Sequence, residues 1–149
     1  MKQLPNRYIG MELSSATMRA EDLIPTFMDF LRGVAEECEI QDEVLEIQNS
    51  VQNLVRGEEQ GYGEYFKDQE QASWILNEDI WDLIQEIAPD YTSFGSHEGD
   101  GACYGFWTNK ESLQDALLTT IQELEPMPDL GEIRKCCEYV INLLDVHQR

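Results

Sequence analysis

The segment 68–87 constrains the fold most, because its apolar residues recur at three- and four-residue steps. This spacing places them on one face of an α-helix, and Trp74 and Trp81 widen that face. The apolar positions are Leu76, Ile80, Leu83, Ile84 and Ile87. Pro89 stops the pattern, since proline disfavours a helical conformation in the residue before it. The segment therefore predicts a long amphipathic helix.

Four further segments carry helical stripes, and we predict helices over 18–37, 42–56, 110–124 and 130–146. Pro25 lies inside the first stripe, so that helix either begins near Pro25 or kinks there. Thr17 and Ser14 are the candidate N-caps. Gly57 ends the second helix, as glycine commonly does just past a helix. The apolar stripe of the fifth helix is compatible with a homodimer or with an ordinary core.

The β-structure is predicted from two regions. The short apolar segment 8–13 is compatible with a strand, and the aromatic-rich segments 91–94 and 103–107 flank a glycine-rich turn. We expect a β-hairpin over 91–107 with the Asp100–Gly101 pair in its turn, because Asp-Gly permits positive φ. The chain is predicted to be a single domain, 1–149, of the α+β class, with about five helices and a short antiparallel sheet built on this hairpin. The alternative is a helical bundle with one hairpin.

Charge restricts the partners. Thirty acidic and ten basic residues give a net charge of −20, and the range 33–109 carries −16 of it, from 18 acids and two bases. Such a field repels nucleic acid and anionic membranes, so direct nucleic-acid binding is not expected. No apolar run approaches the roughly 18 residues of a membrane span. The range 1–7 lacks the apolar stretch of a signal peptide, and we expect a cytoplasmic protein.

No recognisable catalytic pattern occurs in the sequence. The cysteines, Cys38, Cys103, Cys136 and Cys137, lack zinc-site spacing and are expected to be ordinary buried thiols. Potential ligands cluster only in the hairpin, at His97, Glu98, Asp100 and Cys103. They are open to two interpretations: a metal site, or a turn whose polar residues face water. We favour the second, and expect no enzyme activity, no cofactor and no metal.

Acidic residues form unneutralised faces on two predicted helices. Glu78, Asp82 and Glu86 recur every four residues with Asp79 alongside, which in a regular α-helix gives a repeat of about 6 Å. Like charges at this spacing destabilise a helix, so a face selected only for solubility would more often mix signs. The candidate partner-binding residues are Glu39, Glu43, Glu46, Glu58, Glu59, Glu78, Asp79, Asp82 and Glu86. The other interpretation is a solvated surface in an acidic proteome.

Near the acidic loop 57–63, Tyr62, Tyr65 and Phe66 are open to two interpretations. Aromatic side chains dominate interface energies, which favours a binding surface. They are equally compatible with packing on the third helix.

In size, in the charge of its middle region and in its lack of catalytic motifs, the chain resembles the acidic anti-restriction and anti-CRISPR proteins of phages and plasmids. Several of those proteins act as DNA mimics. The resemblance implies a non-enzymatic inhibitor that binds the nucleic-acid-binding surface of a host defence nuclease complex, with the acids of the second and third helices paired to Lys and Arg of that basic partner. Two alternatives remain: an acidic adaptor or structural protein that binds another protein through an apolar patch, and a metal-dependent hydrolase centred on His97, Asp100 and Cys103.

Overall fold

The computed structural model describes residues 1–54, 66, 68–109, 111–115, 131, 135 and 139. The first half begins with a 3-10 turn at Asn6–Tyr8 and contains strand β1 (Glu12–Ser14), helix α1 (Ala20–Cys38) and helix α2 (Gln41–Leu54). A continuous helical run, which we call helix 69–86, follows: α3 (Gln69–Ile75), a π-helical turn (Leu76–Ile80) and α4 (Trp81–Glu86). Strands β2 (Thr92–His97) and β3 (Asp100–Thr108) complete the sheet. Residues 111–115, 131, 135 and 139 are also helical.

Helix α1 begins at Ala20 with Arg19 at its N-cap, so the predicted caps Thr17 and Ser14 are wrong. The helix starts five residues before Pro25, which therefore lies within it. It ends at Cys38, where Glu39 adopts a left-handed conformation with a φ of 58°. The fully buried Ile40 follows, and α2 begins one residue later. This abrupt corner folds α2 back against α1.

Helix 69–86 agrees in extent with the helix predicted over 68–87 but is divided by the π turn. Asp68 caps its start, where the side chain accepts hydrogen bonds from the backbone N–H groups of Glu70 and Gln71, both at 3.0 Å. At Trp81 the backbone N–H donates to the carbonyl of Leu76, five residues earlier rather than four. The turn therefore contains one residue more than a regular α-helical turn.

The sheet has strand order β1-β3-β2, and both pairings are antiparallel. The predicted hairpin over 91–107 is confirmed, but its turn is formed by Glu98 and Gly99, because His97 pairs with Asp100. Placing the Asp100–Gly101 pair in the turn was wrong: Asp100 opens β3, where its side chain accepts a hydrogen bond from the backbone of Ala102 at 3.0 Å. The register then shifts between Ser96 and His97.

Strand β1 begins later than the sequence predicts. A 3-10 turn occupies Asn6–Tyr8 and Gly10 has a φ of 77°, so the chain is not extended over the first part of the predicted range 8–13. The strand then runs so close to β3 that a Cβ at Gly105 would lie 2.3 Å from the carbonyl oxygen of Met11. Only glycine fits this contact.

The helices pack on one face of the sheet. Phe27 of α1 makes edge contacts with Phe94 of β2 and Tyr104 of β3, at centroid distances of 5.3 and 6.0 Å. Trp81 of α4 also packs on Phe94, at 4.6 Å. The α+β class is therefore confirmed, and the three-stranded sheet argues against the alternative of a bundle with one hairpin.

The number of helices differs slightly from the predicted five. Among the described residues, the predicted first three helices correspond to α1, α2, α3 and α4, because the π turn divides the third predicted helix into α3 and α4. The predicted helices over 110–124 and 130–146 lie largely outside the described residues. The apolar stripe of the fifth predicted helix, which is compatible with a homodimer, also lies largely outside the described residues. In the part of the chain that the structure describes, no helix is both long and apolar enough to span a membrane.

Candidate functional site

A groove of about 480 Å³ lies between α2 and helix 69–86. Six carboxylates line it, from Glu43, Glu46, Glu78, Asp79, Asp82 and Glu86. Ile47, Leu83 and Trp74 supply its apolar lining, and Ser50 completes the wall formed by α2. The structure thus brings together six of the nine candidate residues that the sequence placed on two separate helices.

Helical spacing explains why each wall is acidic. On α2, Glu43, Glu46 and Ser50 are three and four residues apart, so they share one side of the helix beside its buried stripe. On helix 69–86 the steps of four residues from Glu78 to Asp82 and Glu86 have the same effect. The π turn interrupts the regular geometry on which the predicted 6 Å repeat rests. The acids share a groove without forming a uniform α-helical row.

Among the described residues, no lysine or arginine pairs with a carboxylate of the groove. Four ion pairs occur among the described residues: Lys2–Glu39, Arg7–Glu37, Arg19–Glu21 and Arg32–Asp29. None of them includes a carboxylate of the groove. Because six acidic residues line one concavity and none is ion-paired with a described cation, we expect negative potential to concentrate there.

Asp79 is the groove acid that this environment affects most clearly. Burial raises the pKa of its carboxyl, and the neighbouring carboxylates of Glu46 and Asp82 raise it further. The charged form is thus disfavoured both by lost hydration and by like charge. A cation bound in the groove would relieve the second of these effects.

We expect Asp79→Asn to increase the free energy of unfolding at pH 7 by about 0.5 kcal/mol, because it removes a repelled charge of the folded state. The pKa of Asp79 is raised by folding, so the folded state loses stability as the pH rises through that pKa. The gain should therefore be larger at pH 7 than at lower pH, and fade as the pH falls towards about 4, where an ordinary Asp carboxyl is half protonated. Urea denaturation across this pH range measures the gain in stability.

The control is Asp90→Asn, because Asp90 is an exposed aspartate outside the groove. A loss of stability in Asp79→Asn at pH 7 would contradict the expectation.

Of the three remaining candidate residues, Glu39 is described by the structure and does not line the groove. Glu39 lies at the corner between α1 and α2, where it pairs with Lys2. The hydrogen bond from Lys2, followed by the charge of Lys2, lowers the pKa of the Glu39 carboxyl. The predicted residues Glu58 and Glu59 lie outside the described residues.

The position of Trp74 on its helix differs from the prediction. It was predicted to widen the buried face of its helix, yet 57% of its surface is exposed. The four-residue spacing contained the signal, since Trp74 precedes Glu78, Asp82 and Glu86 on the acidic row rather than on the apolar one. Phe66, in contrast, is buried in the core, so it does not contribute to a binding surface. The predictions for Tyr62 and Tyr65 lie outside the described residues.

Each side chain of the alternative hydrolase site makes a hydrogen bond within the fold. The Nδ1 atom of His97 accepts a hydrogen bond from the backbone of Gly99 at 3.0 Å, and the Cys103 thiol donates to Glu12 at 3.4 Å. Asp100 accepts the bond from Ala102 described above. Across residues 1–54, 66, 68–109, 111–115, 131, 135 and 139, no group of three or more His, Cys, Asp or Glu side chains is arranged to hold a metal ion.

The prediction of ordinary buried thiols is confirmed for Cys38 and Cys103, which are both free and buried. Burial raises the pKa of each thiol. Such thiols are poor nucleophiles, because the thiolate is the reactive form. Cys136 and Cys137 lie outside the described residues.

Comparison of the chain with protein-family profiles, curated protein sequences and solved structures found no match.

Proposed function

We propose that the protein is a non-enzymatic acidic inhibitor that acts in the cytoplasm and occupies the basic, nucleic-acid-binding surface of a nuclease complex. The observation that supports this proposal is the groove itself. Six carboxylates converge there, and no lysine or arginine of the described residues pairs with them.

Surfaces that hold nucleic acid carry Lys and Arg side chains that contact phosphate oxygens. Carboxylates accept charge-assisted hydrogen bonds from the same side chains. Because the acids of this groove stand on two helices, a cation of the partner can be held between two carboxylates rather than beside one. The remaining negative charge of the chain increases the rate of encounter with such a partner.

The test uses the full chain, immobilised and exposed to cell lysate at low salt. We expect capture of a nucleic-acid-binding nuclease complex that is released steeply by a salt gradient and is displaced by added duplex DNA. The purified complex should then lose nuclease activity in proportion to the amount of the acidic protein added. Capture that is indifferent to both salt and DNA would reject charge mimicry and support the adaptor that binds through an apolar patch.

A further inference from the structure

The three tryptophans of the chain have different surroundings. Trp81 packs on Phe94 and Tyr104 in the core, and Trp107 donates its indole N–H to the carbonyl of Gly95 at 2.9 Å. Trp74 is more than half exposed, and it makes neither a ring contact nor a hydrogen bond with any residue that the structure describes. Trp81 and Trp107 therefore contribute contacts to the fold, whereas the indole of Trp74 is available at the surface.

The available indole lies in the acidic groove. Trp74 stands one helical turn before Glu78, and its side chain lines the same concavity as Glu43 and Glu46 of the opposite helix. An exposed indole in a groove lined by acids that have no ion-pair partner among the described residues suits a ligand that is both flat and positively charged. The negative face of the ring and the negative charge of the acids attract it together.

Arginine fits this description better than lysine. Its guanidinium is planar and weakly hydrated, stacks on aromatic rings, and offers several N–H donors in a rigid fork that matches a carboxylate. The lysine ammonium is a compact, strongly hydrated point charge that gains less from an aromatic face. Repulsion at Asp79 favours a bound cation in general, because a positive charge close to this carboxyl would offset the charges of Glu46 and Asp82.

We propose that the groove is an arginine-binding site, in which a guanidinium of the partner stacks on Trp74 and pairs with carboxylates of the two facing helices, so that the protein discriminates arginine from lysine. The inference rests on the proposed function, since it identifies which basic side chain of the partner the groove receives.

The probes are two peptides of equal length and charge, one of eight arginines and one of eight lysines, titrated calorimetrically into the full chain. The arginine peptide is expected to bind about 5- to 30-fold more tightly, the range that cation–π stacking contributes. Trp74→Ala should reduce this ratio to within about twofold, chiefly by weakening the arginine peptide, and Trp74→Phe should retain part of the ratio. Leu45→Ala is the matched control, because Leu45 is 56% exposed on α2 but does not line the groove.

The possible results separate the two proposals. Equal binding of both peptides to the unaltered protein would overturn the arginine preference and leave charge-based binding intact. An equal loss of both peptides in Trp74→Ala would also overturn it, since Trp74 would then only shape the groove. Failure of both peptides to bind the unaltered protein would overturn the proposed function as well. Circular dichroism of each variant shows whether the fold is retained.

Discussion

Lysine in place of Glu78, Asp82 and Glu86 together should weaken binding of a basic partner by more than about 100-fold, because three attractive charges become repulsive within one groove. Like-charge contacts at an interface cost several kcal/mol, and here they would occur along one entire wall. The fold should survive, since all three side chains are exposed and the new lysines would lie beside the remaining acids of the groove, Glu43, Glu46 and Asp79. Competition for the captured nuclease complex, together with circular dichroism, measures the two effects separately.

A second triple variant with the same net charge tests whether partner binding depends on the groove or on the overall charge. Lysine at Glu36, Asp90 and Glu98 changes the net charge by the same amount, from −20 to −14, at exposed positions that do not line the groove. We expect this variant to bind within about tenfold of the unaltered protein, through slower encounter rather than faster dissociation. Equal losses in the two triple variants would show that the diffuse field, and not the groove, holds the partner.

Phe27→Ala is expected to lower the free energy of unfolding by about 3–5 kcal/mol. Phe27 is fully buried, and its ring contacts Phe94 and Tyr104 on two different strands. Truncation leaves a cavity between α1 and the sheet, where both elements are fixed by other contacts and collapse only partly. A loss of this size is a large part of the 5–15 kcal/mol that stabilises a typical domain. The midpoint of urea denaturation, at an unchanged slope, measures it.

Phe27→Leu serves as the control, because it keeps most of the apolar volume and should cost less than about half as much as the alanine variant. In the folded fraction of Phe27→Ala, partner affinity should be unchanged, since Phe27 does not line the groove. A cost below about 1 kcal/mol for the alanine variant would mean that α1 does not pack on the sheet as described.

Local patterns in the sequence determined the identity of most described elements. The apolar stripes placed α1, α2 and helix 69–86 within two residues at each boundary that the structure describes, because burial of one helical face requires a three- to four-residue period. The aromatic segments on either side of the glycines similarly fixed the hairpin over 91–107. Spacing along single helices also identified Glu43, Glu46, Glu78, Asp79, Asp82 and Glu86 as candidate residues.

Some local details did not follow from these patterns. The turn formed at Glu98–Gly99 instead of Asp100–Gly101, because pairing with β3 sets the register of the hairpin. The π turn within helix 69–86 also has no signal in the apolar period.

The tertiary structure alone decided that the two acidic helix faces meet. The corner at Glu39 and Ile40 turns α2 so that Glu43 and Glu46 face Asp79 and Asp82, while Glu39 itself pairs with Lys2. The same packing left Trp74 at the surface and placed Trp81 in the core. Periodicity specifies which side of an element is apolar, but the neighbour of the polar side depends on contacts between residues distant in sequence. The acidic residues and the helices that carry them were therefore predictable from the sequence. Their arrangement around one groove depends on how those helices pack.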